Sequence, residues 1–178
     1  LKCKHCYLGK LNGFELDFDK IMEITDTIID SNVMEVTLSG GECLTYKGIE
    51  NVIKKLLIND IKVDIFTNAL LLKNVLNKID KKVKDKSKLL FYVSVDGLKE
   101  NHEKIRGKNT FDRTIENIKY AIENGIDDIS ASWFGEKEDP IIGQTKAYCC
   151  QECQKLIIDS LKKINQTFEK NTKLQILH

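Results

Sequence analysis

The sequence lacks the features of a membrane protein and of a long flexible linker. No run approaches the ~18 consecutive apolar residues of a membrane-spanning helix, and no secretory signal is visible. Its 178 residues contain one proline, Pro140, and few glycine or serine tracts, which argues against a long disordered segment. We therefore expect a cytoplasmic protein with a substantial buried core.

The sequence also lacks an excess of charge of either sign. Lys and Arg total 28 against 27 Asp and Glu, which leaves a formal charge of +1. This balance gives no argument for binding nucleic acid or an acidic membrane surface. Six cysteines stand out from an otherwise ordinary composition. In a reducing compartment they favour metal ligands or free thiols over disulfides.

Helical and β-prone patterns alternate along the chain. Apolar residues at helical spacing predict four helices, which begin after Asp17, near residue 46, near residue 71 and after Thr110. Five β-prone segments lie between or after them, at 33–39, 61–67, 89–96, 126–132 and 173–178. Strands that alternate with helices predict an α/β fold with a parallel sheet and right-handed crossovers.

The pattern loosens after residue 132, and we divide the chain there. Residues 1–132 form the predicted core and 133–178 a C-terminal extension. Within the extension, 133–145 is typical of an irregular loop, and about 150–168 of a helix.

Three successive strand candidates end in polar groups. The polar segments at their carboxyl ends are, in chain order, Ser39-Gly40-Gly41-Glu42, Thr67-Asn68 and Ser94-Val95-Asp96-Gly97. Ligands of parallel α/β folds bind at this edge of the sheet. We therefore expect these groups to share one rim, with Ser94 and Asp96 on the same face of their strand.

Cys3-Lys4-His5-Cys6 offers two soft ligands near the start of the chain. Thiolates at this spacing can bind two corners of one metal ion or cluster. Free thiols are the first alternative. A zinc site shared with Cys150-x-x-Cys153 is the second, although the two pairs lie much further apart than in a zinc ribbon.

Two further motifs could bind parts of a charged ligand. Gly40-Gly41 would let a ligand approach the main chain, and the Glu42 carboxylate could receive an ammonium group. The alternative for this motif is a plain turn from strand to helix. Arg106, four residues after His102, could bind a carboxylate through two parallel hydrogen bonds. The alternative is that the segment of His102 and Arg106 is an exposed polar loop.

In this order, these motifs resemble radical S-adenosylmethionine (SAM) enzymes over residues 1–125. The run Val93–Gly97, followed by His102 and Arg106-Gly107, is most similar to the SPASM or twitch subgroup, which carries extra clusters. The family's cluster loop is C-x-x-x-C-x-x-C, with its first cysteine four residues before Cys3. The resemblance therefore implies a chain truncated at both ends, folded as a partial TIM-like (β/α) barrel whose first strand is missing.

The resemblance also implies roles for individual residues. Cys3 and Cys6 would ligate a [4Fe-4S] cluster that chelates the amino and carboxylate groups of SAM. His5 would pack near the adenine, Glu42 with its two glycines would bind the ammonium, and Asn68 would line the pocket. Ser94 and Asp96 would reach the carboxylate or ribose, with Arg106 beside the carboxylate. The implied SAM-binding set is His5, Gly40, Gly41, Glu42, Asn68, Ser94, Asp96 and Arg106.

The implied reaction is reductive cleavage of SAM to a 5′-deoxyadenosyl radical, which removes hydrogen from a substrate. The substrate would be a peptide, a protein or a small molecule, and the electron donor a protein such as flavodoxin or ferredoxin. The alternative is a non-catalytic α/β domain with a structural zinc or free thiols.

Two roles are possible for each of the remaining cysteines. Cys149, Cys150 and Cys153 could ligate an auxiliary iron–sulfur cluster, as the subgroup implies, or be free thiols at the start of a helix. A complete cluster needs about four thiolates, so these three would not suffice. Cys43 stands where the family often has proline after Gly-Gly-Glu, and its residue type favours a buried, inert thiol over a functional one.

Overall fold

The structure is a computed structural model that describes most of the first 132 residues and short stretches beyond them. The described residues are 1, 3, 6, 15–79, 83, 85–126, 128–132, 136–138, 145–147 and 173–177, with backbone alone from residue 131 onward. The predictions for His5, for Cys149, Cys150 and Cys153, and for a helix at 150–168 lie outside the described residues.

Five parallel strands form one sheet. They are β1 (Glu35–Leu38), β2 (Lys62–Thr67), β3 (Leu89–Ser94), β4 (Asp128–Ser132) and β7 (Lys173–Leu177). Their order across the sheet is β1-β2-β3-β4-β7, and every neighbouring pair is parallel. The predicted α/β class and all five predicted strands are confirmed.

One helix precedes β1, and four others occupy the connections from β1 to β4. They are α1 (Phe18–Asp30), α2 (Ile49–Ile58), α3 (Leu72–Ile79), α4 (Lys99–Arg106) and α5 (Phe111–Glu123), with a 3₁₀ turn at Cys43–Thr45. None of the helices in the described part of the chain has the length and apolarity needed to cross a bilayer.

The core lies between the helices and one face of the sheet. Alternate strand residues point to that face, where Ile65 and Phe91 are fully buried against Ile53 of α2. The apolar stripes of α2 and α3 cover them at helical spacing. This burial fixes the register of the strands, because a slip by one residue would turn the apolar set away from the helices.

The opposite face of the sheet carries polar and aromatic groups. Lys62 Nζ lies 3.0 Å from Glu35 and 3.1 Å from Asp64, and burial raises the pKa of Asp64. Phe66 and Tyr92 stack beside them with ring centroids 4.5 Å apart. In a barrel, this face lines the interior.

Three local expectations need correction. The segment of His102 and Arg106 is helix α4 and not an exposed loop, because His102 and Ile105 are buried on one side of it. Residues 133–145 are not wholly irregular, since β5 (Glu136–Glu138) pairs antiparallel with β6 (Thr145–Ala147).

The third correction concerns helix capping. Asp17 and Thr110 precede α1 and α5 as predicted, but neither side chain caps its helix. The Thr110 hydroxyl instead donates to the Gly107 carbonyl at 2.6 Å. The polar residue therefore shapes the turn between α4 and α5.

The core account predicts different effects for two isoleucines of α2. Ile53 is 0% exposed and Ile58 is 65% exposed. Ile53→Ala should lower the free energy of unfolding by about 2–5 kcal/mol, because it opens a cavity against the sheet. Ile58→Ala should change it by less than about 0.5 kcal/mol. Urea unfolding would measure both, and equal losses would contradict the placement of the core.

Candidate functional site

Glu42 ties the end of β1 to the end of β2. Its Oε1 accepts a hydrogen bond from the Thr67 hydroxyl at 2.6 Å, and its Oε2 accepts one from the Asn68 backbone N–H at 2.8 Å. Oε1 also caps the 3₁₀ turn by accepting from the Leu44 N–H at 3.4 Å. The carboxylate is therefore fixed in position by both neighbouring strand ends.

The two glycines before Glu42 are exposed at the rim. Gly40 has a φ of +139°, and a Cβ placed there would meet no atom within 4 Å. Glycine is thus favoured by the backbone conformation and not by crowding. The open space leaves the main chain of this loop accessible to a ligand.

The turn after β2 is held by α5. The Thr114 hydroxyl donates to the Asn68 carbonyl at 3.0 Å, and the Asn117 amide donates to the Ala69 carbonyl at 2.8 Å. Asn68 Oδ1 accepts from the Leu70 N–H at 2.9 Å. The Asn68 side chain therefore closes its own turn at the rim.

The hydroxyls of Thr67 and Thr114 hold the rim, and the sequence patterns do not indicate these two bonds. Thr114 had a visible signal, since it follows Phe111 by three residues and precedes Ile118 by four on an otherwise apolar stripe. A buried hydroxyl at such a position needs a partner, and Asn68 supplies it.

Asp96 and Arg106 form a buried ion pair just beyond the end of β3. Arg106 Nε donates to Asp96 Oδ2, and Nη2 lies 3.4 Å from Oδ1. The Asp96 side chain is 0% exposed and that of Arg106 is 9% exposed. Asp96 thus lies beneath Arg106, while Ser94, the last residue of β3, is half-buried at the rim.

The same guanidinium reaches the cysteine loop. Arg106 Nη1 lies 3.9 Å from Cys3 Sγ, within reach of a hydrogen bond to sulfur. The Cys6 N–H donates to the Cys3 carbonyl at 3.2 Å, so the two cysteines share one turn. Burial raises the pKa of the Cys3 thiol, and the Arg106 charge acts against that rise. Cys3 is half-buried, whereas Cys6 is exposed.

The structure thus gathers the predicted residues into two groups on adjoining strand ends. Glu42 and Asn68 form one group with Thr67, and Cys3, Asp96 and Arg106 form the other. Strands β1 and β3 flank β2, so the ends of β1 and β3 lie about 10 Å apart across the sheet, with the end of β2 between them.

The described residues fit part of an iron–sulfur ligand set. Among them, no three His, Cys, Asp or Glu side chains are close enough together to hold a metal ion. Cys3 and Cys6 nevertheless offer two free sulfur ligands in one turn, and a cation next to Cys3 favours its thiolate. This donor chemistry suits two corners of a cluster that takes its other ligands elsewhere.

Cys43 differs chemically from this pair. Its Sγ lies 3.6 Å from the Phe66 carbonyl and 3.8 Å from the Leu38 carbonyl, as an S–H donor would. Burial, reinforced by the Glu42 charge, raises the pKa of Cys43 to about 12. The thiol is therefore protonated at neutral pH, which supports the expectation of an inert cysteine.

His102 fixes the backbone at Asp96. It is 0% exposed, and its Nδ1 accepts a hydrogen bond from the Asp96 N–H at 3.2 Å. The Phe111 ring packs against it edge-on. Burial and the nearby Arg106 charge lower the pKa of His102 to about 4, against the opposing charges of Asp96 and Glu103.

This shift predicts an acid-labile fold. A histidine in the unfolded chain has a pKa of ~6.5. Below that pH its imidazole is protonated in the unfolded state but stays neutral in the folded state. The stability that the neutral ring contributes is complete above pH ~6.5 and is lost as pH falls toward the folded pKa of about 4. We expect a loss of about 3 kcal/mol over this window.

Urea unfolding across that pH range would measure the loss in the parent chain and in His102→Asn. Asparagine keeps an acceptor near Nδ1 but does not titrate, so its stability should depend less on pH. Identical pH profiles for the two chains would show that His102 does not titrate as described.

Comparison with known proteins places the chain in a family. Residues 1–141 match the family model described as the Radical SAM superfamily. The chain is 31% identical over 133 residues to GTP 3′,8-cyclase of Helicobacter pylori, covering 70% of this chain and 40% of that protein. It is 28% identical over 155 residues to the sporulation killing factor maturation protein SkfB of Bacillus subtilis, covering 84% of this chain and 36% of that protein.

Solved structures share the fold. SuiB of Streptococcus suis bound to its precursor peptide SuiA superposes with a TM-score of 0.54 at 19% identity, covering 99% of this chain and 46% of SuiB. SuiB bound to S-adenosylmethionine gives a TM-score of 0.50 at 23% identity, covering 99% of this chain and 44% of SuiB.

The chain spans 40% or less of the length of the two curated relatives described above. Since the family model covers residues 1–141 of 178, the chain belongs to the radical SAM superfamily, a superfamily of enzymes.

Proposed function

We propose that this chain is the core of a radical SAM enzyme that reductively cleaves SAM and acts on a peptide or protein. One observation carries the proposal: the Gly-Gly-Glu loop follows β1, Arg106 contacts the cysteine turn beyond the end of β3, and these two parallel strands flank β2 on the same sheet. A ligand between them would have sulfur-bound metal on one side and a carboxylate with open main chain on the other.

Cys3 and Cys6 would hold two corners of a [4Fe-4S] cluster. These two thiolates do not complete the cluster, whose remaining ligands would come from elsewhere. When bound, the cluster would supply one electron to the SAM sulfonium, whose C5′–S bond would break to give methionine and the 5′-deoxyadenosyl radical that abstracts hydrogen. The electron would come from a donor such as flavodoxin or ferredoxin.

The Gly-Gly-Glu loop would bind the methionine end of SAM. The Glu42 carboxylate is already oriented by Thr67 and by the Asn68 N–H, so it need not reorganise to receive an ammonium group. The exposed main chain of Gly40 and Gly41 would approach the same group. Asn68 and Ser94 would line the pocket beside it, and His5 would pack near the adenine.

Asp96 and Arg106 would hold the cysteine turn in position from the buried side of the site. Asp96 is buried and is held by Arg106, so a direct contact with a ribose would require the pair to open. We therefore propose that Asp96 acts through Arg106. A buried, fully paired carboxylate and guanidinium hold their neighbours rigidly, because separating them would leave an uncompensated charge.

The interior face of the sheet would receive the substrate. Phe66 is 42% exposed there and stacks on Tyr92, which leaves apolar ring surface close to the proposed SAM site. Such surface excludes water from a reactive radical. Two relatives support a peptide substrate, since SkfB is a maturation protein and SuiB was crystallised with its precursor peptide.

We also propose membership of the SPASM or twitch subgroup. The run Val93–Gly97, followed by His102 and Arg106, supports it on sequence. Auxiliary cluster ligation by Cys149, Cys150 and Cys153 stays a prediction, since these residues lie outside the described part of the chain.

The proposal predicts distinct roles for three cysteines. In the full-length protein, reconstituted with iron and sulfide without oxygen, Cys3→Ala or Cys6→Ala should abolish the SAM-binding cluster and 5′-deoxyadenosine formation. Cys43→Ala should keep both, because that thiol is protonated and bonded to carbonyls. Iron content, EPR spectra and product analysis would measure the outcome. A colourless protein that holds stoichiometric zinc would instead favour a structural domain.

The proposal also predicts a binding defect without loss of the cluster. Glu42→Ala should weaken SAM binding by about 10–100-fold, the effect of losing one charge-assisted hydrogen bond. The EPR signal of the cluster without SAM should be retained. Glu116→Ala, a matched change at an exposed position of α5, should bind SAM normally. Equal SAM affinity in both variants, measured by calorimetry, would refute the ammonium role of Glu42.

A further inference from the structure

We propose that Arg106 is a positioning residue for the cluster ligand Cys3, and that its N–H···S hydrogen bond raises the reduction potential of the cluster. This role presupposes the proposed function. It differs from contact with the SAM carboxylate, which the sequence resemblance implies for the same residue.

The geometry of the guanidinium carries the proposal. Nε and Nη2 face the two oxygens of Asp96, while Nη1 faces Cys3 Sγ at 3.9 Å. Because the guanidinium is planar and rigid, fixing two of its nitrogens on Asp96 fixes the direction of the third. Asp96 thereby aims Nη1 at the sulfur.

The surroundings hold this arrangement in place. Asp96 and Arg106 are almost wholly buried, so few water molecules compete for the guanidinium. The Asp96 backbone is bonded to His102, and His102 and Arg106 both belong to α4. Helix α4 therefore holds Asp96 through His102 and also supplies Arg106.

A hydrogen bond to a coordinated thiolate has an electronic consequence. Reduction adds negative charge to an iron–sulfur cluster, and a cationic donor at one of its sulfurs stabilises that charge. Arg106 should therefore make the cluster easier to reduce. A residue that only supports the fold would not shift the potential of a cluster that remains bound.

The direct test compares two residues of α4. Arg106→Gln removes the cation and its bond to Cys3, while Lys104→Gln removes a cation from an exposed position two residues earlier. Both variants would be made in the full-length protein, reconstituted without oxygen. EPR-monitored redox titration without SAM would give the midpoint potential, and calorimetry the SAM affinity.

We expect Arg106→Gln to lower the reduction equilibrium constant of the cluster about tenfold, the effect of one charge-assisted hydrogen bond. For a one-electron couple, that is a midpoint potential about 59 mV more negative. Lys104→Gln should leave the potential near that of the parent protein, because its charge is exposed and screened.

A second variant controls for the possibility that Arg106→Gln misfolds. Arg106→Gln alone leaves the buried Asp96 carboxylate without its guanidinium, which is costly for folding. The double variant Asp96→Asn/Arg106→Gln removes both charges and should show a smaller negative shift, because loss of the Asp96 anion favours reduction. Circular dichroism would confirm that each variant is folded.

Three outcomes would overturn the role of Arg106. If the parent protein holds a cluster and cleaves SAM, but the Arg106 variants keep the parent potential, Arg106 does not donate to the cluster. If the potential stays and SAM affinity falls, Arg106 binds the carboxylate of SAM instead. If the parent protein itself binds no cluster, the proposed function fails, and this role fails with it.

Discussion

The site depends on the parallel pairing of β1, β2 and β3. Parallel strands bring all of their carboxyl ends to one edge, and the buried alternation of Val63, Ile65 and Phe91 prevents the register from slipping. With the register fixed, the residues that follow each strand begin at the same edge of the sheet. Segments that are far apart in sequence, such as the Gly-Gly-Glu loop and the turn after β2, therefore meet without any covalent link.

Two charged groups, the half-buried Glu42 and the buried Asp96, then convert this edge into a site. The Glu42 carboxylate accepts hydrogen bonds from the Thr67 hydroxyl and the Asn68 N–H, which compensate for the water that it loses. The charge of Asp96 is compensated by Arg106, whose Nη1 also contacts Cys3 Sγ. Each group joins two chain segments, so the loops at the rim are held by hydrogen bonds while the core beneath is held by apolar packing. The Gly-Gly-Glu loop and the turn after β2 are thus fixed before any ligand binds, which lowers the entropic cost of binding.

The sequence predicted the periodic parts of this structure well. Strands and helices with a regular apolar pattern were found, and the polar residues at their ends were placed on one rim. Helix α4 was not recognised as a helix, because most of its residues are charged and only His102 and Ile105 face inward. The bond from Thr67 to Glu42 spans 25 positions, and that from Thr114 to Asn68 spans 46. Partners at such separations become visible only once the register is known.

The central claim is that SAM lies across this rim, between the cluster held by Cys3 and Cys6 and the loop of Gly40, Gly41 and Glu42. A crystal structure of the full-length protein with its cluster and SAM would test it most directly. The account predicts that the amino group of SAM binds the cluster iron and lies within hydrogen-bond distance of that loop. SAM bound at another surface, or a cluster on the opposite side of the sheet from Glu42, would contradict it.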